Sequence, residues 1–546
     1  MRGGSPDPPR GWARNLSSDR LFIAFLLLVL TLSAGCTIFP EGAYWAPMAR
    51  RAPESGAGAM HAAPIATLKA PAADGALPTA AEAADRGAAL RMRIAKRWSD
   101  ERLANSARGM DGGLGRSVYA DAMQTVVWCY VEPVSYGRLI VAGLESLRAA
   151  LDEPAFRRRF PEAADDERRT RFAEALEILL LKARAADPWF AFQAADWLAA
   201  VMEKNRAMLG LPDGAIVSEL LFGAMDSLDP YSRYLTPEML RSYRDQSAGE
   251  YVGVGAEITT RNGRMFIKAV FEGGPAAKAG LKAGDEVVAV DGRPVASINA
   301  AELSRRLRGK PGTPVTLAVR AGGEGEPRDL TLTRGTVHLP AVRDAQMLDA
   351  ARGIAYVRFT EFQDGAEAEL RRAIEGLSRQ GAKALVLDLR DNPGGGLEES
   401  VWAAGMFLDG GPVLRTRGRM IGATWNYDVP LFESRVWAGP LAVLVNERTA
   451  SAAEVVASAL EARGRAAIVG RRTFGKGAVQ ILFPIEGGAS AVCLTMARVY
   501  DVRGECLDGR GVVPQRGVAA PPSPPESPAA DPDIGAAVEW LGAATK

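Results

Sequence analysis

The clearest hydrophobic pattern in the chain lies in residues 441–483. An apolar run, Leu441–Val445, leads into a polar turn and a corner of small residues. Apolar side chains then recur at the spacing of one helix face, at Val455, Val456, Ala459 and Leu460. This pattern predicts a strand, a turn and a helix, with Ser451 at the join. A short strand at 466–469 follows, and then Lys476 stands between two glycines.

The spacing of hydrophobic residues divides the rest of the chain into regions of different predicted structure. Residues 119–147 predict two amphipathic helices that break near Glu132 and Pro133, and helical spacing continues through an insertion at about 148–213. Residues 247–336 alternate short strands with two helices. From 337 to 515, strands and helices alternate, which favours βαβ units around a parallel sheet.

The predicted fold is therefore α+β and multidomain. A helical N-terminal region at 109–246 contains the insertion. A small β domain at 247–336 precedes an α/β core at 337–515, and a proline-rich tail occupies 516–546. We expect this tail to be a loose linker to a short terminal helix.

The start of the chain resembles a targeting segment. Arginines precede an apolar run of about fifteen residues that ends at Cys36, too short for an ordinary membrane span but suited to a signal peptide. We expect a signal peptide at 1–35, lipidation of Cys36 as in bacterial lipoproteins, and a flexible tether at 36–108. A helix from Ala80 to Ala104 is the alternative for the last part of this tether. The alternative is an uncleaved membrane anchor, and both interpretations place the folded part outside the cytoplasm.

Composition narrows the function classes. The 546 residues include 66 Lys and Arg and 65 Asp and Glu, so the near-neutral charge argues against a nucleic-acid-binding protein. The four cysteines have no metal-binding spacing. The two histidines, His61 in the tether and His338 at a domain junction, are poorly placed for a Ser-His-Asp triad.

Serine and lysine remain as candidate catalytic groups. Ser451 at a helix start lies beside unpaired amides that can stabilise an oxyanion. Lys476 could act as a base if its pKa fell from about 10.4 to roughly 7, which costs between about 4 and 5 kcal/mol. The segment between Arg471 and Phe483 contains no acid, so the sequence permits this. The alternative is that Ser451 is only a helix cap and Lys476 a surface lysine.

Five segments together resemble the carboxyl-terminal processing, or tail-specific, protease family. They are RTASAAE, FGKGAVQ, DLRDNPGGG, YVGVGAEI and SLDPYSRYL. The resemblance covers about 119–514, apart from the insertion, and implies a crotonase-like core. It also implies that Ser451 is the nucleophile, Lys476 the general base and Gln480 the residue that orients the lysine. The amide of Ala452, with that of Gly394 or Gly395, would form the oxyanion hole.

The β domain resembles a PDZ domain. Its loop of Val252, Gly253, Val254 and Gly255 would bind the terminal carboxylate of a peptide that adds to the sheet edge. The alternative is that these glycines only form a hairpin. The Asp229-Pro230-Tyr231-Ser232 turn is interpreted as structural.

These observations predict a serine endopeptidase that cleaves extracytoplasmic proteins near their C-termini. Its partners would be proteins with exposed C-termini, the membrane through a lipid anchor on the periplasmic side of a bacterial envelope, and, as in relatives, a helical-repeat lipoprotein adaptor. No metal or organic cofactor and no nucleic acid are expected. A non-catalytic PDZ scaffold with a decayed core and an acyl-CoA enzyme are the competing hypotheses.

Overall fold

The computed structural model describes residues 80–186, 191–430, 435–485, 488–521 and 527–544. The predicted signal peptide, the lipidation at Cys36 and the tether up to residue 79 lie outside these residues. Within the described ranges, no helix is both long and apolar enough to cross a membrane.

A helical region comes first. Its elements are α1 (Ala80–Trp98), α2 (Glu101–Arg108), α3 (Gly112–Cys129), α4 (Tyr136–Ala150), α5 (Pro154–Arg159), α6 (Asp166–Ala185), α7 (Ala191–Met208), α8 (Asp213–Asp226), β1 (Arg233–Leu235) and α9 (Pro237–Ser247). The predicted break between two helices is confirmed, because α3 ends and α4 begins on either side of Glu132 and Pro133. The inserted helices α6 and α7 bury Phe172, Leu176 and Leu198 against α3 and α4, which supports a local core for the insertion.

Residues 80–108 are helical, as the alternative for Ala80 to Ala104 proposed, but the prediction of a flexible tether is wrong for them. They form α1 and α2, and α1 packs on the helical region through Ile94 and Trp98, both fully buried. The spacing of four residues places these two side chains on one helix face. The indole of Trp98 also donates a hydrogen bond to the buried Glu219 carboxylate at 2.6 Å.

The small β domain follows. It consists of β2 (Glu250–Gly253), β3 (Ala256–Arg261), β4 (Arg264–Val270), α10 (Pro275–Lys278), β5 (Glu286–Val290), β6 (Arg293–Pro294), α11 (Ala300–Leu307), β7 (Pro314–Arg320), β8 (Arg328–Thr333) and β9 (Gly335–His338). The sheet order is β3-β4-β5-β7-β8, with β6 beside β5. Strands β2 and β9 pair antiparallel, so the two ends of the domain lie side by side.

The core completes the chain. Its elements are β10 (Val342–Asp349), β11 (Ile354–Phe359), α12 (Ala366–Arg379), β12 (Ala384–Asp388), α13 (Leu397–Gly405), β13 (Pro412–Gly418), β14 (Trp425–Asp428), β15 (Leu441–Val445), α14 (Ala452–Ala462), β16 (Ala467–Gly470), β17 (Ala478–Ile485), β18 (Ser490–Tyr500), β19 (Arg516–Gly517) and α15 (Pro532–Ala544).

One core sheet runs β10-β11-β12-β15-β16-β19 and is parallel from β11 onward, as the βαβ pattern predicted. Helices α12, α13 and α14 cover one face. The terminal helix α15 covers the other face with Ile534, Ala537 and Leu541. Because the strands are buried on both faces, they are almost wholly apolar. The predicted terminal helix is therefore present, and it is packed on the core.

The second core sheet carries β1 from the helical region. Strand β18 pairs with β1, β13 and β17, and the register places Arg233 opposite Cys493. The segment SLDPYSRYL is thereby joined to the strands that follow Lys476.

Candidate active site

Ser451 lies where the chain leaves β15 and enters α14. Its backbone has φ 56° and ψ −120°, a conformation that costs a non-glycine residue on the order of 1–3 kcal/mol. The N–H of Ser451 donates to the Glu454 carboxylate at 2.8 Å, and the Glu454 N–H donates to the Ser451 carbonyl at 2.8 Å. In α/β-hydrolases, a sharp strand-to-helix turn of this kind presents the nucleophilic hydroxyl.

The predicted site residues line one cavity of about 440 Å³. They are Ser451, Ala452, Gly394, Gly395, Lys476 and Gln480. Three separate chain segments contribute them, at 394–395, 451–452 and 476–480. The fold therefore brings together the groups that the sequence analysis could relate only by resemblance.

The glycine loop approaches the Ser451 corner closely. A Cβ on Gly394 would lie 2.7 Å from the Ser451 Cβ, and one on Gly395 would lie 2.3 Å from the Phe362 carbonyl oxygen. Gly394 has φ 100°, so a side chain is excluded by both space and conformation. The Gly394 N–H donates to the Asn392 side chain at 2.9 Å. The amides of Gly395 and Ala452, by contrast, have no hydrogen-bond acceptor among the described residues.

Lys476 is mostly enclosed. Burial lowers its pKa most, and the positive charge of Arg233 lowers it further. The charges of Cys493, Glu454 and Asp229 act in the opposite direction, but the net effect is a lowered pKa. Within the described part of the chain, no carboxylate lies within ion-pairing distance of the ammonium group. Its Nζ lies 5.1 Å from the centre of the Tyr231 ring. A lysine in such surroundings can lose its proton more readily than one in water.

Comparison with known proteins decides the family. The profile of Peptidase family S41 matches residues 353–518, and that of the PDZ domain matches residues 266–321. The chain is 34% identical over 313 residues to the carboxy-terminal-processing protease of Bartonella bacilliformis, a match that covers 57% of this chain and 71% of the relative. The chain belongs to the carboxyl-terminal processing protease family. The predicted family, the serine peptidase class and the mixed α+β fold class are thus confirmed.

A second carboxyl-terminal processing protease, from Picosynechococcus sp., is 36% identical over 301 residues, covering 54% of this chain and 70% of the relative. Among solved structures, the photosystem II D1 C-terminal processing protease matches with 29% identity and a TM-score of 0.39. That match covers 74% of this chain and 93% of the other.

Glu454 is a residue of this carboxyl-terminal processing protease that the sequence analysis missed. Its fully buried carboxylate accepts four hydrogen bonds, from the Ser451 N–H at 2.8 Å, the Thr473 hydroxyl at 2.5 Å, the Gly475 N–H at 2.7 Å and the Lys476 N–H at 2.8 Å. One side chain therefore joins the backbone of the candidate nucleophile to that of the candidate base. The S-x-x-E spacing from Ser451, a capping-box signal, could have identified it.

Gln480 lies on β17, one wall of the cavity. Its Nε2 donates to the Thr495 hydroxyl at 3.2 Å, and the Thr495 N–H donates to the Ser232 hydroxyl at 3.1 Å. Ser232 in turn donates to Asp229 at 2.9 Å. Since no hydrogen bond joins Gln480 to Lys476 among the described residues, orientation of the lysine by Gln480 stays a prediction.

The turn at 229–232 was interpreted as structural, and its hydrogen bonds agree. Two residues of this region are also part of the candidate site. The side chains of Tyr231, in the turn, and Arg233, at the start of β1, line the cavity together with Lys476. Arg233 has no carboxylate partner among the described residues, and its guanidinium lies 5.4 Å from the centre of the Tyr243 ring. No local pattern in the sequence indicates this, because β1 reaches the site only by pairing with β18.

The predicted peptide-binding loop lies at the start of the PDZ sheet. Val252 and Gly253 end β2, Val254 is buried, and Gly255 has φ 80°. A Cβ on Gly255 would lie 3.3 Å from the Gly274 Cα. The loop leads into β3, which forms one edge of the sheet and packs against α11. An edge strand beside a helix is the arrangement to which a peptide can add as a further strand.

Proposed function

We propose that this carboxyl-terminal processing protease cleaves extracytoplasmic proteins with a dyad of Ser451 and Lys476. One observation carries the proposal. The strained Ser451 corner lines the same cavity as a largely buried lysine that has no carboxylate partner in the described chain and whose pKa is lowered. A neutral lysine at that place can accept the proton of a serine hydroxyl.

The cycle uses only groups of the chain and water. Neutral Lys476 Nζ takes the Ser451 Oγ proton as Oγ attacks the peptide carbonyl carbon. The free amides of Ala452 and Gly395 hydrogen-bond the oxyanion, and Gly394 is the weaker candidate because Asn392 already accepts its N–H. Lys476 then protonates the leaving nitrogen as the C–N bond breaks. Lys476 next takes a proton from water as the water oxygen attacks the acyl carbon. It then gives this proton to Ser451 Oγ as the acyl–Oγ bond breaks, which restores the neutral lysine and the serine hydroxyl.

We also propose that the PDZ domain holds the substrate tail at residues 252–255, with the tail added along β3. The free edge of β3 and the tight Gly255 turn support this.

The localisation is likewise a proposal: lipidation of Cys36 would hold the enzyme on the periplasmic side of the envelope. Metabolic labelling with a radioactive fatty acid should mark the wild type but not Cys36→Ser, and equal labelling would exclude that anchor.

The dyad is tested by cleavage of an unstructured protein with a free C-terminus. We expect Ser451→Ala and Lys476→Ala each to lower kcat by at least about 10²-fold. Ser458→Ala is the matched control, because Ser458 is a buried serine on the same helix whose hydroxyl donates only to the Val455 carbonyl.

Equal turnover by all four proteins would exclude the dyad. The absence of turnover in every one, including wild type, would favour the non-catalytic scaffold.

A further inference from the structure

The terminal helix α15 carries an acidic pair at its beginning. Asp531 accepts the Asp533 N–H at 2.9 Å and so caps the helix. The Asp533 carboxylate, 1% exposed, lies between two guanidinium groups. It contacts Arg390 Nη1 at 2.9 Å and Arg471 Nη1 and Nη2 at 3.0 and 3.2 Å. Asp531 contacts Arg390 as well, at 2.8 Å.

These two arginines lie at the beginning of two loops, one that carries the candidate oxyanion donor Gly395 and one that carries the candidate base Lys476. Arg390 follows β12, and Gly395 lies five positions after it. Arg471 follows β16, and Lys476 also lies five positions after it. Parallel strands place their carboxyl ends at one edge of a sheet, which is where such loops form active sites. Asp533 therefore bridges the segment that supplies the oxyanion donor and the segment that supplies the base.

The Asp533 carboxylate also compensates the positive charges of Arg390 and Arg471. Arg390 and Arg471 are mostly buried, with 12% and 16% of their side chains exposed. Arg390 keeps Asp388 at 2.7 Å as another partner, whereas the other partner of Arg471, Glu447, is 62% exposed. Loss of the Asp533 charge would leave two enclosed cations facing each other, with Arg471 the less compensated. The loop that carries Lys476 would be displaced first.

The S41 match ends at residue 518, so Asp531 and Asp533 lie beyond it. We infer that Asp533 is a positioning residue for catalysis: through Arg390 and Arg471 it holds the oxyanion loop and the Lys476 loop in register. This inference deepens the proposed function and rests on it. The terminal helix is then a part of the catalytic apparatus as well as a cover for the sheet.

The test is hydrolysis of a short unstructured peptide, too short to span from the PDZ domain to Ser451. Asp533→Asn keeps the shape of the side chain and removes its charge. We expect kcat to fall by at least about tenfold with KM within about twofold, since small displacements of catalytic groups reduce rate more than binding. Asp531→Asn, which leaves the contact with Arg471 intact, should have a smaller effect.

The matched control is Glu286→Gln in the PDZ domain. Glu286 is also a buried carboxylate between two arginines, Arg264 and Arg320. We expect it to lower Tm without changing peptide kcat. Wild-type kcat in Asp533→Asn would overturn the inference, as would an equal fall in kcat in both variants.

A further variant keeps the test decisive if Asp533→Asn does not fold. Asp533→Glu retains the charge but moves the carboxylate by one methylene, so kcat should still fall, and a wild-type kcat would count against the inference. If wild type itself fails to hydrolyse any peptide, the proposed function fails instead.

Discussion

Replacing Glu454 by glutamine would break the connection between the candidate nucleophile and the candidate base. Each carboxylate oxygen accepts two hydrogen bonds, from the Thr473 hydroxyl and the Gly475 N–H on one side and from the Ser451 and Lys476 N–H groups on the other. An amide keeps one acceptor oxygen and turns the other position into a donor. Two of the four donors therefore lose their partner inside the protein.

The magnitude follows from that count. A buried donor left unsatisfied costs about 1–3 kcal/mol, so two donors amount to roughly 2–6 kcal/mol. Part of this would appear as lower stability, and part as movement of Ser451 relative to Lys476. Because a shift of about 1 Å can lower a rate 10²-fold, we expect kcat of the folded Glu454→Gln protein to fall by about that factor.

The assay combines urea denaturation with peptide kcat, corrected for the folded fraction. Glu219→Gln is the matched control, since the Glu219 carboxylate is also fully buried and accepts from Arg97, Trp98 and Ser146, but in the helical region. It should lose similar stability and keep its kcat. Wild-type kcat in folded Glu454→Gln would refute the reasoning.

Three further predictions concern the same site and the PDZ loop. Arg233→Gln should raise the pKa of Lys476, because burial lowers this pKa and the Arg233 charge lowers it further. Since the active form is the neutral amine, the acid limb of the kcat/KM profile should move to higher pH. An unchanged acid limb would contradict this prediction. Gly394→Ala, whose Cβ would meet Ser451 at 2.7 Å, should lose activity, whereas Gly464→Ala, also at positive φ but with open space around it, should only lose some stability in denaturation. Gly255→Ala should slow cleavage of substrates that need tail binding while leaving short-peptide hydrolysis intact, and equal slowing of both would indicate a general folding defect.

Ser451 and Lys476 could be predicted from the sequence because local signals mark them. An apolar strand, a small-residue corner and a helical spacing predict the Ser451 turn, and two flanking glycines mark Lys476. The resemblance to the protease family indicated that the two residues act together, as nucleophile and base. The positive φ of Ser451 was not predictable, because no local pattern in the sequence requires it, and neither was the close approach of Gly394 from another loop.

Arg233 and Asp533 could not be found in this way. Arg233 enters the cavity only because β1 pairs with β18 across more than 250 positions of sequence. Asp533 meets Arg390 and Arg471 because α15 folds back over the sheet. Neither relation has a local signature in the chain. A helix from Ala80 to Ala104 could be anticipated, but its packing could not, because the few side chains that pack, such as Trp98, stand in an alanine-rich sequence.

The most direct measurement of the central claim is the titration of Lys476 itself. In protein with ¹³C-labelled lysine, the Cε signal that disappears in Lys476→Arg reports its protonation. The account predicts a pKa clearly below the ordinary value of about 10.4, matching the acid limb of kcat/KM. A Lys476 that titrates at the ordinary value, while the enzyme is fully active at neutral pH, would contradict it.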